Sequence, residues 1–295
     1  MKYVITGSLG NISKPLTQQL VNAGHNVTVI SSKAGKQSQI ESLGAHAAIG
    51  SVEDTAFLTR TFSGADAVYT MVPPTMSAPD WVGYIHNIGK NYAEAIKAAG
   101  VKQVVNLSSI GAHMQEGCGP VSGLYHVEQE LNKLDGVNVK HLRPGFFCTN
   151  LYSNIGMIKH AGIIGANYGE NAKLVMAHPN DIAAVAAEEM LTPTFTGKSI
   201  RFVVSDEPTT TEIAGALGAA IGKPQLPWVN FKNEDALNGM LQAGLPAEVA
   251  EKYMEMGDAM ATGKMTTGYV NNQPLASATK LADFAKEFAA AYAHA

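Results

Sequence analysis

Gly24, Gly44, Gly64, Gly100 and Gly136 each close a run of helical periodicity, and a short apolar, β-rich run follows each within a few residues. Glycine tolerates the left-handed conformation in which helices commonly end, so this punctuation reads as helix, turn and strand repeated along the chain. The spacing predicts strands over residues 3–6, 27–31, 47–49, 67–71, 103–107 and 137–142, and helices over 13–23, 36–43, 54–61, 79–99 and 122–134. Strands alternating with helices in this way build a parallel sheet through right-handed crossovers. The strand runs are apolar throughout, as expected when both faces of a sheet are covered.

The first crossover also carries chemistry. Directly after the first strand stand Gly7-Ser8-Leu9-Gly10-Asn11-Ile12-Ser13, and a helix follows. Gly7 permits a tight turn, Gly10 lets the backbone approach a pyrophosphate, and the small Ser13 allows helix and strand to pack closely. The helix start offers free N–H groups and the positive end of its dipole to an anion. A plain βα turn without nucleotide is the bland alternative; the motif's place between strand and helix favours the dinucleotide. The expected fold class is therefore α/β, a Rossmann-type doubly wound parallel sheet that binds NAD(P). The second strand ends in Ile30-Ser31-Ser32-Lys33, with no carboxylate before Glu41. An acid there would grip the free ribose of NAD, whereas two hydroxyls and a cation suit the 2′-phosphate of NADP. NADPH is accordingly expected over NADH, although a solvated helix start would also account for Lys33.

After Arg143 the pattern loosens. Residues 144–168 are rich in Gly, Asn and aromatic side chains and read as a loop with a short helix. Helices are expected over 181–191, capped by Asn180 or Asp181, and over 210–221, introduced by threonines. A strand over 199–204 is expected to rejoin the main sheet, and the chain from Asn233 onward is mostly helical. The organisation expected is an NAD(P)-binding domain over 1–143 and a smaller, mostly helical substrate-binding lobe over 144–295. A net charge of −4 leaves no basic footprint for nucleic acid. No stretch approaches the ~18 uninterrupted apolar residues of a membrane span, and the N-terminus enters a strand without a signal region. Cys118 and Cys148 are too few and too far apart for a disulfide framework or zinc site, and the nine histidines show no metal-ligand spacing. A cytoplasmic protein with reduced thiols and no metal is expected.

Three further stretches join the glycine turn: Ala67-Val68-Tyr69-Thr70-Met71-Val72-Pro73-Pro74, Leu142-Arg143-Pro144-Gly145-Phe146-Phe147 with Asn150, and Asn180-Asp181-Ile182-Ala183. Together they resemble the NmrA-like branch of the atypical short-chain dehydrogenase/reductases, over nearly the whole chain. The most similar members are bacterial NAD(P)H-dependent quinone, azo-dye and triphenylmethane reductases; others bind the nucleotide without catalysis and act as redox-sensing regulators. The resemblance implies that Gly7, Gly10, Asn11 and Ile12, with Ser8 and Leu9 in the same turn, meet the pyrophosphate. It puts Ser31, Ser32 and Lys33 around the 2′-phosphate, and Met71, Val72 and Pro73 beside the adenine and nicotinamide ribose. Pro144, Gly145, Phe146 and Phe147 would pack near the nicotinamide, with Phe147 and Asn150 beginning the substrate wall.

Two departures matter. Gly50-Ser51 stands where many relatives carry Gly-Asp against the adenine. The Tyr-x-x-x-Lys of ordinary short-chain dehydrogenases is here Tyr125-His126-Val127-Glu128-Gln129, and without the lysine a tyrosine is a poor base at neutral pH. The resemblance instead implies a His126–Glu130 pair, one turn apart. His126 is then a candidate catalytic proton donor or cofactor ligand, or else a surface residue bonded to Glu130. Ser108, with Ser109, ends the fifth strand where a reductase would orient a carbonyl; both hydroxyls also suit turn capping. A flat acceptor would stack on Phe146, Phe147 and Tyr152, with Trp81, Tyr84 or Met76 opposite, though each also suits a core. Met254, Met256 and Met260 read as an adaptable pocket wall or as core between helices. His178 is a candidate at the pocket mouth, and Asp181 a helix cap.

The function expected is an NADPH-dependent oxidoreductase passing hydride directly, without flavin or metal, to a small, flat aromatic or quinone-like acceptor. The alternative is a catalytically silent NAD(P)-binding redox sensor with a protein partner. An epimerase or dehydratase would need the tyrosine base that this chain lacks.

Overall fold

The computed structural model describes residues 1–269 and 278–295. The first half runs β1 (Lys2–Ile5), α1 (Ser13–Asn22), β2 (Asn26–Ser31), α2 (Gln37–Glu41), β3 (His46–Ile49), α3 (Thr55–Phe62), β4 (Ala67–Thr70), α4 (Trp81–Ala99), β5 (Gln103–Leu107), α5 (Pro120–Asn132) and β6 (Asn138–Pro144). The second half runs β7 (Phe146–Phe147), α6 (Ile155–Ala161), β8 (Ile164–Ala166), β9 (Met176–Ala177), α7 (Pro179–Leu191), β10 (Lys198–Val203), α8 (Thr210–Ala220), β11 (Trp228–Asn230), α9 (Asn233–Gln242), α10 (Ala247–Ala261) and α11 (Leu281–His294). Seven strands form one parallel sheet in the order β10-β6-β5-β4-β1-β2-β3. The order reverses between β1 and β4, the switch point at which doubly wound sheets open a crevice for ligands.

The two-residue period of a strand sorts its side chains to opposite faces. Tyr3 and Ile5 of β1 join one buried cluster with Leu16 and Leu20 of α1 and Ile182 and Ala186 of α7. Val4, between them, joins the other with Phe62 of α3, Ile88 and Tyr92 of α4 and Val127 of α5. α7 and β10, both beyond residue 143, thus complete the sheet's layers alongside elements of the first half.

Several expected boundaries shift for local reasons. The helix expected over 36–43 is a short 3₁₀ turn, Ala34–Lys36, followed by one α-helical stretch. α4 starts after Asp80, whose carboxylate accepts from Gly83 N. α7 is capped by neither Asn180 nor Asp181: Pro179 opens it, and His178 Nδ1 accepts from Asn180 N. Asp181, in the first turn, accepts from Ser205 Oγ at 2.6 Å and Thr279 N at 2.9 Å. Thr209 caps α8 in a reciprocal pair with Glu212. The expected loop after residue 144 holds β7, which pairs parallel with β9. That passage demands Gly145, because a Cβ there would lie 2.3 Å from Val175 O. No helix among the described residues is long and apolar enough to cross a membrane.

Candidate active site

The turn after β1 is fastened to its neighbours on two sides. Thr6 N donates to Tyr69 O, Thr6 Oγ1 accepts from Met71 N at 2.8 Å, and Tyr92 Oη donates to Met71 O at 2.6 Å. Gly7 takes φ +90°, and a Cβ on it would stand 2.5 Å from Ser13 Oγ and 2.9 Å from Met71 Cγ. Ser13 in turn donates to Thr6 O at 2.8 Å, which draws α1 tightly onto the strand. The start of α1 has no side-chain cap, which leaves its dipole end without a side-chain partner there. Asn11 is exposed at this edge, whereas Leu9 leans onto the core. Ser8 Oγ donates to Ser31 Oγ at 2.9 Å, joining the turn to the end of β2, where Ser32 and Lys33 are exposed. Ser51 uses its hydroxyl locally, accepting from Glu53 N. An uncapped helix, a glycine turn and an exposed cation beside it fit a phosphorylated dinucleotide.

Next to this turn, at the carboxyl ends of β4, β5 and β6, lies an apolar cavity of about 380 Å³. Met71, Val72 and Pro73 form one side; Gly145, Phe146, Phe147 and Asn150 form another. Ser108 and Ser109 form part of its floor. Trp81 and Ile85 of α4 and Leu124 of α5 face Tyr253, Met256 and Met260 of α10. Trp81 and Tyr253 meet edge to face at 5.2 Å, and Trp81 N donates to Glu248 Oε1, which ties α4 to α10. The sole charged residue lining the cavity, among those described, is Lys173, paired with Glu207, whose other oxygen accepts from Tyr269 Oη.

Beneath the floor is a buried ionic group that sequence reasoning passed over. Ser108 Oγ donates to Glu128 Oε1 at 2.6 Å; Arg143 donates from Nε to the same oxygen at 2.9 Å and from Nη2 to Oε2 at 2.6 Å. Glu128 is 2% exposed and Arg143 8%. Both were visible in the sequence, Arg143 inside the Leu-Arg-Pro-Gly stretch, but nothing in the spacing joins α5 to β6.

Other expected residues stand elsewhere. His126 lies outside the cavity lining, its ring stacked on His86 of α4 at 4.7 Å. Glu130, its expected partner, accepts instead from His86 Nε2 at 3.0 Å and from Lys133. Burial, followed by the His86 ring, lowers the pKa of His126, and the bond from His86 holds the Glu130 carboxyl below the usual range. Tyr152 packs on Phe284 and Phe288 in the C-terminal core, and Tyr84 packs on the α4 side of the sheet. Met76 is 50% exposed on the neighbouring loop. His178 Nε2 bonds Glu287 of α11, away from the cavity. Of the methionine run, Met256 and Met260 line the cavity, whereas Met254 offers its carbonyl to Asn167.

Residues 7–133 match the family described as NAD(P)H-binding. Over 98% of the chain and 99% of the relative, 25% of residues are identical with a (4-alkanoyl-5-oxo-2,5-dihydrofuran-3-yl)methyl phosphate reductase of Streptomyces griseus. Over 98% of both chains, 26% are identical with an NAD(P)H azoreductase of Xenophilus azovorans. The fold matches an NADPH-dependent quinone oxidoreductase of Escherichia coli solved with NADPH, with a TM-score of 0.82 and 21% identity, covering 97% of this chain and 99% of that one. The NmrA-like resemblance agrees with these relatives, all of them reductases or oxidoreductases.

Proposed function

We propose that this chain is an NAD(P)H-dependent oxidoreductase that takes NADPH in preference to NADH and passes hydride directly, without a flavin, to a small, flat acceptor of quinone or related conjugated type. One observation carries the reading: the apolar cavity opens at the same strand ends as the uncapped glycine turn, with Met71 touching both. The glycine turn would hold the diphosphate of a dinucleotide and Lys33 its 2′-phosphate, with Phe146 and Phe147 placed to meet the nicotinamide. A bound nicotinamide supplies the hydride itself. The chain supplies alignment and exclusion of water, through the aromatic faces of Phe147, Trp81 and Tyr253 and the pliable Met256 and Met260. The names of the two curated relatives specify a furanone and azo compounds, which are likewise conjugated acceptors. His126 has no part in this scheme, since it stands outside the cavity.

The test is a panel of quinones, azo dyes and triphenylmethane dyes mixed with the purified protein and NADPH, followed at the reduced-nicotinamide band. Turnover of at least one acceptor is expected, with kcat/KM falling about tenfold in Phe147→Ala as stacking is lost. Tight NADPH binding with no turnover across the panel would instead establish a silent redox sensor.

A further inference from the structure

We propose that the serine floor of the cavity is an acceptor-only surface: Ser108 and Ser109 receive hydrogen bonds from a ligand and give none. The inference rests on the reading of the cavity as the acceptor and nicotinamide site. A serine hydroxyl has one proton and two lone pairs. Ser108 spends its proton on Glu128 Oε1 at 2.6 Å, and Ser109 spends its own on Ile110 O at 2.9 Å. Glu128 cannot turn to release Ser108, because Arg143 holds both carboxylate oxygens in a fork. Ser108 is 3% exposed and Glu128 2%, so the bond is held out of bulk solvent. Rotating the Ser108 proton into the cavity would take a donor from a buried carboxylate oxygen, which is costly to leave under-bonded. Glu128 and Arg143 are therefore positioning residues: they set the polarity of a hydroxyl that touches the ligand.

The consequence is chemical selectivity. A carbonyl oxygen finds no hydroxyl donor on this floor, whereas an O–H or N–H group finds lone pairs held in place. Two ligands offer such a donor in this cavity, the hydroxyl of a reduced quinone-type product and the carboxamide N–H of a nicotinamide. The floor thus recognises the reduced acceptor or the cofactor amide and offers the oxidised acceptor no hydroxyl donor.

Matched probes test this without requiring turnover. With the full chain saturated in NADP, 1-naphthol and 1-methoxynaphthalene are titrated calorimetrically; they share a ring system and differ in the donor. In a second arm, NADP is compared with its nicotinic-acid analogue, which lacks the carboxamide donor. A preference of about fivefold, the worth of one neutral hydrogen bond, is expected for the donor-bearing member of one pair. Which pair shows it tells whether product or cofactor fills the floor. Ser108→Ala is expected to erase that preference and Ser108→Thr, which keeps a hydroxyl, to retain it. No preference in either wild-type pair overturns the proposal, as does a loss of 1,4-naphthoquinone affinity in Ser108→Ala equal to the loss for the donor probe. Failure to bind any nicotinamide dinucleotide would instead sink the reading of the cavity itself.

Discussion

Ser31 is buried at the end of β2, where its hydroxyl accepts from Ser8 Oγ and from Lys33 N. The buried serine thereby joins the glycine turn to the strand end and leaves the Lys33 side chain exposed beside it, with no ion pair among the described residues. A charge-assisted bond from such a lysine to a phosphate is worth about 1.5–3 kcal/mol. Lys33→Asp is therefore expected to weaken NADPH binding by roughly 10- to 100-fold and NADH binding by much less, measured by titration with each nucleotide. Equal losses would refute the phosphate contact. The same scale shows what a residue's own type makes legible. Gly7 was recognisable because a φ of +90° suits only glycine. Gly145 carries no such conformational signature; it is needed only because Val175 passes across it.

Between elements, a chain of polar side chains crosses the buried sheet. Thr70 Oγ1 of β4 donates to Asn106 Oδ1 of β5, whose Nδ2 donates to His141 Nδ1 of β6, whose Nε2 donates to Asn132 Oδ1 of α5. Each link leaves His141 one bare nitrogen and one N–H, so the ring fits only as the neutral form. Burial accordingly lowers its pKa from 6.5 to about 4. In the unfolded chain the ring binds a proton near pH 6.5, so the unfolded state gains protons first as the pH falls. Stability from this group is complete above that value and is lost as pH drops toward 4, by about 3 kcal/mol in all. His141→Gln, which does not titrate, is expected to flatten that part of the urea-unfolding profile. An unchanged slope between pH 6.5 and 4 would show that the ring does not govern it. Elements also explain the missed pairing on α5. Helical spacing puts His126 and Glu130 on one face, but α4 lies against that face and its His86 claims the carboxylate.

Across the whole molecule, distant segments close both the sheet and the cavity. β10 adds the edge strand beside β6, α7 covers the face occupied by α1, and α10 supplies the wall opposite α4. The last helix is latched to this body by short polar contacts. Asp181 binds Ser205 Oγ and Thr279, Asp206 accepts from Leu281 N at 2.9 Å, and His178 bonds Glu287. Asp181→Ala strands the buried Ser205 hydroxyl and the partly buried Thr279 N–H and hydroxyl, and is expected to cost about 1–3 kcal/mol. Hydrogen exchange is expected to speed up in α11, while dinucleotide affinity stays within about twofold because the latch lies away from the β1 turn. Unchanged exchange over residues 281–294 would show that apolar packing of Phe284 and Phe288 alone holds the helix.

The alternation of strands and helices and the glycine turn were determined by sequence alone. Each depends on periodicity or on backbone conformations that a few neighbouring residues dictate. Only the tertiary structure decided that Ser108 faces Glu128 and Arg143, that α10 closes the cavity with Tyr253, Met256 and Met260, and that His178 serves the C-terminal helix. Those outcomes turn on which surfaces meet across long stretches of chain, where packing and the pairing of buried charges outweigh any local preference.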